Sequence, residues 1–154
     1  MKKLLYLFVA CCLTTVASAQ KLTDKDIQGT WKLSSFDAGQ LKVDIATEKI
    51  TLSPEIEAQM TPESKQQMEA GMAQAMEMFK ESYAYVEGKN LRQTMGPQEQ
   101  KGTFEIAFKD NKNVLTLTQA DGTKEDITIA MVDKKLVLTQ TEGGSAAIFT
   151  YTKQ

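Results

Sequence analysis

Three methionines recur at every fourth position in the middle of this chain, and they are its most distinctive chemical feature. Met68, Met72 and Met76 are followed by Phe79, and on a helix this spacing puts all four side chains on one face. Such a stripe can fill the irregular space between a helix and a core, or line a flexible lid over an apolar ligand. Thioether sulfurs are also soft ligands that suit Cu(I). The stripe therefore leaves three alternatives open: packing, a ligand-binding lid and a soft-metal site.

The residue types that most enzymes use for catalysis are scarce. The absence of histidine from the 154 residues excludes Ser-His-Asp and Cys-His catalysts, together with ordinary zinc and haem-histidine sites. The sole arginine, Arg92, lies beside a predicted turn among polar residues, which favours a solvated surface position. The carboxylates are scattered, so no pair indicates acid–base catalysis. We predict that the protein is not an enzyme and has no cofactor or resident metal.

A second set of candidate binding residues lies on strands predicted for the second half of the chain. Alternation puts Phe104 and Phe108 on one strand face, and Phe149 and Tyr151 on one face of the last strand. Inside a barrel such side chains either line an apolar cavity or fill a solid core. With the methionine stripe, the candidate ligand-binding residues are Met68, Met72, Met76, Phe79, Tyr85, Phe104, Phe108, Met131, Phe149 and Tyr151.

The elements that must position these residues are mostly short strands. Segments of alternating apolar and polar residues are bounded by turns rich in Gly, Asn and Asp, a pattern typical of a meander sandwich or barrel. Counting the segment around Trp31, the predicted strands lie near residues 29–33, 83–86, 91–95, 103–108, 114–119, 127–131, 136–140 and 147–151. We therefore predict a mainly β fold, an antiparallel up-and-down barrel of about eight strands. Eight strands make a barrel just wide enough to be filled by side chains or to hold one small ligand.

A helical period interrupts this pattern after the first strand and an extended stretch at residues 41–52. Ser53-Pro54 and Thr61-Pro62 are both helix-start signals, a hydroxyl N-cap followed by proline at the first helical position. Residues 62–82 are rich in Ala, Gln, Glu, Lys and Met, which tolerate helix well. The sequence predicts a helical lid over about residues 54–82, as one helix or two.

The stretch Gly29-Thr30-Trp31 carries a family resemblance. It is similar to the G-x-W signature of the lipocalin and fatty-acid-binding (calycin) superfamily, and with Lys32 and Leu33 it resembles the first strand of small lipocalin-like domains of bacterial envelopes. The resemblance implies an up-and-down antiparallel barrel, often with a ligand cavity. It also implies a basic residue on the last strand packed across the tryptophan, for which Lys153 is the candidate. Fatty-acid-binding proteins place a helical lid after the first strand, which the predicted insertion resembles.

The first 19 residues predict export. Lys2 and Lys3 precede an apolar run at residues 4–16, and Ala17-Ser18-Ala19 fits the small-x-small rule for signal peptidase, which leaves Gln20 as the mature N-terminus. The run is too short for a permanent membrane span. Cys11 and Cys12 suggest a lipoprotein as the alternative, but the residues before Cys11 form a poor lipobox. Because both cysteines lie in the removed segment, the mature domain, residues 20–154, must be stable without disulfides.

Charge restricts the class of partner. The chain has 18 basic and 20 acidic residues, a net charge of −2, and loss of Lys2 and Lys3 brings it to about −4. This mild acidity argues against nucleic acid and anionic membranes as partners. We predict a periplasmic or secreted lipocalin-like protein that binds a small hydrophobic or amphipathic ligand. The alternatives are a filled barrel that serves as a protein-interaction module without a ligand and, less favoured, a methionine-rich copper-binding protein.

The predicted export signal is checked by the mass of the mature protein. Expression of the full chain in a bacterial host is expected to yield an unmodified polypeptide that begins at Gln20, because cleavage follows Ala19. Intact-mass spectrometry of the exported fraction makes the measurement. A lipid-modified species that begins at Cys11 would contradict both the cleavage site and the prediction of a soluble exported protein.

Overall fold

Residues 20–154 are described by a computed structural model, and they form one antiparallel sheet that curls into a barrel, with two helices inserted between its third and fourth strands. The strands are β1 (Gly29–Asp37), β2 (Leu41–Asp44), β3 (Lys49–Leu52), β4 (Tyr83–Glu87), β5 (Asn90–Met95), β6 (Gln98–Lys109), β7 (Lys112–Gln119), β8 (Lys124–Val132), β9 (Lys135–Glu142) and β10 (Ser145–Lys153). The helices are α1 (Pro54–Gln59) and α2 (Pro62–Lys80). The predicted signal peptide, residues 1–19, lies outside the described residues.

The barrel closes through β1. Strands β4 to β10 follow one another as an antiparallel meander, and β1 pairs with both ends of it, β4 and β10. Only residues 29–32 of β1 pair with β4, whereas residues 35–37 pair with β2. The β2–β3 hairpin therefore extends the sheet beyond a closed barrel of eight strands. This arrangement confirms the predicted eight-stranded antiparallel barrel with a helical insertion after the first strands.

Large apolar side chains fill the part of the barrel interior that is nearer to Trp31. Inward-facing residues alternate with polar ones along each strand, as Leu136 and Leu138 on β9 illustrate, both about 3% exposed. Side chains from three neighbouring strands, Phe104 on β6, Leu117 on β7 and Ile127 on β8, are at most 1% exposed. The interior at this level is packed, which is the outcome expected for a barrel of eight strands whose inward residues are this large.

Trp31 lies in the closed end of the barrel. Its indole nitrogen donates to the carbonyl of Ile27 at 2.8 Å, and its ring is 1% exposed. Lys153, from the last strand, places its ammonium 5.3 Å from the ring centroid. Gly29 has a φ of +114°, and a Cβ there would lie 3.2 Å from the Cε atom of Lys153. Glycine is thus favoured at this position by its backbone conformation, and a Cβ there would also crowd the lysine that crosses it.

The N-terminal residues complete this closed end. Asn113 is 2% exposed, and its side-chain oxygen accepts from the backbone N–H of Leu22 at 2.8 Å. Its side-chain nitrogen donates to the carbonyl of Gln20 at 2.9 Å. The segment is therefore held across the base of the barrel, where Leu22 and Ile27 are buried beside Trp31.

A β-bulge in β1 changes which residues face inward. Leu33 pairs with Tyr151 but Ser35 pairs with Thr150, so Ser34 is the extra residue. The Ser34 hydroxyl donates to the carbonyl of Thr150 at 2.9 Å. After the bulge, Phe36 turns to the same side as Phe149, and their ring centroids lie 5.0 Å apart.

Both helices begin where the sequence predicts. Ser53 and Thr61 are N-caps whose side chains accept backbone N–H groups, with proline at the start of each helix. Helix α2 ends at Lys80 rather than at Ser82, because the carbonyl of Ser82 accepts the N–H of Leu33 on β1 at 2.9 Å. The insertion is therefore two helices, the second of which is anchored to the barrel at its C-terminal end.

The packing at the closed end predicts a large cost for loss of the indole. We expect Trp31→Ala to lower the free energy of unfolding by about 3–5 kcal/mol, because a buried aromatic side chain is replaced by a cavity. Chemical denaturation followed by circular dichroism measures this change. Tyr85→Ala, which removes an aromatic ring from the outer face of the barrel, is the control and should cost about 1 kcal/mol or less. Equal midpoints for wild type and Trp31→Ala would contradict the role given to Trp31.

Candidate functional site

An open groove lies between α2 and the β2–β3 hairpin. Its volume is about 510 Å³. Met68, Met72 and Met76 of α2 face Ile50 and Leu52 of β3 across it. We call this feature the methionine groove. It brings together three of the candidate residues beside apolar side chains of β3, as the apolar-ligand alternative requires.

The groove exists because α2 is packed closely only near its C-terminal end. Met76 is 5% exposed, and the ring of Phe79 stacks on that of Phe36 with centroids 5.7 Å apart. Met72 and Met68, one and two turns earlier than Met76, are only half-buried. The helix therefore stands away from the hairpin over its N-terminal part, and apolar surface of both elements is left facing the gap.

The rim of the methionine groove is mainly acidic. Carboxylates of Glu48, Glu57, Glu69 and Glu77 contribute to the lining, against one lysine, Lys65. Lys80, just beyond the groove, binds Glu48 at 2.8 Å and Glu77 at 2.9 Å. The hydrogen bonds that the Lys80 ammonium donates to these carboxylates, to Glu48 above all and then to Glu77, raise the pKa of Lys80. The groove thus combines an apolar floor with a rim of net negative charge.

A second feature lies inside the barrel, at the end opposite Trp31. The side-chain nitrogen of Gln93 donates to the hydroxyl of Tyr151 at 2.5 Å. Glu125 accepts from Gln100 at 3.2 Å through one carboxylate oxygen and from Gln140 at 2.8 Å through the other. We call these five inward-facing residues the polar belt. It separates the packed apolar interior from the open mouth of the barrel.

The wall of the barrel opens beside the polar belt. The β8–β9 ladder ends at the pair Thr128 and Thr139, although β8 begins at Lys124 and β9 continues to Glu142. Side chains bridge the gap instead, through the hydrogen bond between Gln140 and Glu125. A cavity of about 630 Å³ lies there, and a second one of about 310 Å³ lies between Gln140, Gln93 and Phe149.

The other candidate residues fall into separate places. Phe104 is buried in the packed interior, while Phe149 and Tyr151 lie at the level of the polar belt. Tyr85 is on the outer face, where Arg92 lies 4.1 Å from its ring centroid. Phe108 is 38% exposed at the end of β6, and Met131, near the C-terminal end of strand β8, packs against the core. The structure therefore groups the candidate residues of α2 with one another. Separately, it places Phe149 and Tyr151 together at the level of the polar belt.

Sequence reasoning missed the polar belt, although a signal for it was present. Glu125 precedes Ile127 at the strand period of two, and Gln140 follows Leu138 in the same way. Gln93 likewise follows Leu91. Each apolar face, extended by one position toward the mouth, reaches one of these polar residues.

Comparison of the sequence with models of known protein families finds no match, and comparison with curated proteins finds none either. Within residues 20–154, no helix has the length and apolar character needed to cross a membrane. The same part of the chain holds no group of three or more carboxylates placed to bind a metal ion.

The buried hydroxyl of Tyr151 predicts a loss of stability at high pH. Burial raises the pKa of Tyr151 from 10.0 to about 12, and the hydrogen bond from Gln93 offsets part of that shift. The folded state holds the phenolic proton more tightly, so its stabilising effect is complete below pH 10 and is lost as pH rises through about 12. Two pKa units correspond to about 2–3 kcal/mol.

The measurement is the free energy of unfolding between pH 8.5 and about 12, compared with Tyr151→Phe. Every other titratable group is the same in both proteins, so the difference between the two curves isolates Tyr151. We expect this difference to shrink or reverse above about pH 10. Parallel curves would contradict the raised pKa.

Proposed function

We propose that this protein is an exported, lipocalin-like binding protein that takes up a small hydrophobic or amphipathic ligand in the periplasm or outside the cell. The observation that carries the proposal is the methionine groove, whose volume of about 510 Å³ falls within the usual range for small-molecule sites. The closed barrel and the position of Lys153 over Trp31 are compatible with a lipocalin-like fold. The sequence signal at residues 1–19 supports export.

The groove suits a ligand with an apolar body and a polar end. Met68, Met72 and Leu52 provide apolar surface that stays half-buried in the free protein. Covering such surface with a ligand is favourable at about 25 cal/mol for each Å² removed from water. The charged rim lies next to this floor, so a polar group on the ligand can remain in water while the apolar part is buried.

Methionine is well suited to this role. Its side chain is unbranched and has three rotatable bonds, so it can repack around ligands of different shapes. Surfaces rich in methionine are used by proteins that accept varied apolar partners. Because α2 is anchored at Phe79 and not along its length, its N-terminal part can adjust to a ligand with little loss of packing.

A filled-barrel interaction module is the second candidate. It is favoured by the packed interior, because Phe104, Leu117 and Ile127 fill space that a ligand inside the barrel would need. In that case α2 and the β2–β3 hairpin would present the methionine groove to a segment of another protein.

The proposal predicts different roles for neighbouring methionines. We expect Met72→Ala to weaken binding of the neutral dye Nile red about fivefold or more, because it removes apolar surface from the groove. The free energy of unfolding should change by about 1 kcal/mol or less, since the side chain is half-exposed. Met76→Ala, at a buried position, should instead cost about 2–5 kcal/mol. Dye fluorescence and chemical denaturation measure the two quantities.

Met78→Ala is the matched control for the dye measurement. Met78 lies on the same helix but outside the groove lining, and a Cβ at Gly96 would lie 3.1 Å from its Cγ atom. Its replacement should leave dye affinity unchanged. If wild type fails to bind the dye and Met72→Ala is strongly destabilised, the ligand proposal is wrong and the interaction module is favoured.

A further inference from the structure

The carboxylate of Glu125 is a negative charge inside the barrel that is held by neutral groups. Each of its oxygens accepts one amide N–H, from Gln100 on β6 and from Gln140 on β9. Among the residues that the structure describes, no lysine or arginine nitrogen lies within 4.0 Å of it. The charge is therefore positioned by the polar belt but not neutralised by it.

A purely structural role would not require this charge. Glu125 lies opposite Leu117 on the inward face of β8 and is half-buried, so part of the water around its carboxylate is replaced by protein at a cost in desolvation. A glutamine at this position would bridge Gln100 and Gln140 through its own amide without that cost. A carboxylate has about four acceptor positions, and the two amides occupy only two of them.

Space for a ligand exists on both sides of the carboxylate. The cavity of about 630 Å³ between β8 and β9 includes Glu125, Gln140 and Gln119 in its lining, together with the opposite charges of Lys124 and Asp126. The cavity of about 310 Å³ includes Gln100 and Gln140 together with the apolar side chains of Met95 and Phe149. An ion at Glu125 would thus have a carboxylate, amide groups and a short apolar wall around it.

We propose that the mouth of the barrel binds a small organic cation, a protonated amine or a guanidinium on a short carbon chain, with Glu125 as its counter-ion. The two glutamines position the carboxylate, and Met95 and Phe149 contact the carbon chain. This site is separate from the methionine groove, and the proposal does not depend on the ligand proposed for that groove.

The test uses three probes of nearly equal size and different charge: n-butylammonium, n-butanol and butyrate. They are titrated into the isotopically labelled mature protein while the side-chain amide signals of Gln100 and Gln140 and the methyl signals of Met68 and Met72 are followed by NMR. We expect butylammonium alone to shift the two glutamine signals in a saturable manner. Saturable shifts of the same size with butanol would overturn the proposal, because charge would then be irrelevant.

Two variants with the same change in net charge locate the effect. Glu125→Gln should weaken butylammonium binding about tenfold or more, as expected for loss of a charge-assisted contact. Glu105→Gln, the same exchange on the exposed outer face of β6 and outside the lining of both cavities, should change it by less than about twofold. Equal weakening in both variants would mean that only the general negative field attracts the cation, and would overturn the site.

The wild-type titration decides the question if Glu125→Gln does not fold. Shifts confined to the methionine methyl groups would place the cation in the methionine groove, overturning the site at the mouth while leaving the proposed function standing. The absence of any saturable shift with butylammonium would overturn the proposed cation site outright. Nile red binding, measured separately, reports on the groove and is expected to be unaffected by Glu125→Gln.

Discussion

The backbone of β1 is hydrogen-bonded to β10 along one edge and to two different strands, β4 and then β2, along the other. The pairing of one edge of β1 with two different strands is the constraint on which the other features of the structure depend. Residues 29–32 close the barrel, and the bulge at Ser34 increases the local twist, so residues 35–37 stay paired with β10 but part from β4 and pair with β2 instead. A strand paired with β4 along its whole length would close the barrel but would leave no edge for β2.

The methionine groove follows from this geometry. The β2–β3 hairpin carries an apolar face, with Val43 fully buried and Ile50 half-buried, and an isolated two-stranded hairpin is at best marginally stable in water. Helix α2 covers that face and is fixed at its end, where Phe79 stacks on Phe36. The bulge is what turns Phe36 to this position. The contact between helix and sheet is therefore tight at one end and loose at the other.

The sequence was sufficient for the barrel because its evidence is local and repeated. Alternation on strands such as β7 and β8, and turn residues between them, do not depend on distant contacts. The helix starts at Ser53 and Thr61 were predictable for the same reason. The bulge was not, since two serines between Leu33 and Phe36 break the period of two without saying why, and only pairing with Thr150 locates the extra residue. Tyr85 was misplaced among interior candidates because alternation defines two faces without saying which one is inward, and Ala84 and Val86 occupy the inside.

The polar belt explains why an apolar ligand is better accommodated outside this barrel than within it. An apolar molecule that entered through the mouth would have to cover Glu125 and the amides of Gln100 and Gln140, and so would remove these groups from water without offering hydrogen bonds. Below the belt, Phe104 and Leu117 already occupy the interior, so burial there would require displacing packed side chains. The methionine groove imposes neither cost, because its floor is apolar and already open. The same physical chemistry that excludes apolar ligands from the mouth favours a cation there, since only a charged or strongly polar group can replace the water that Glu125 would lose.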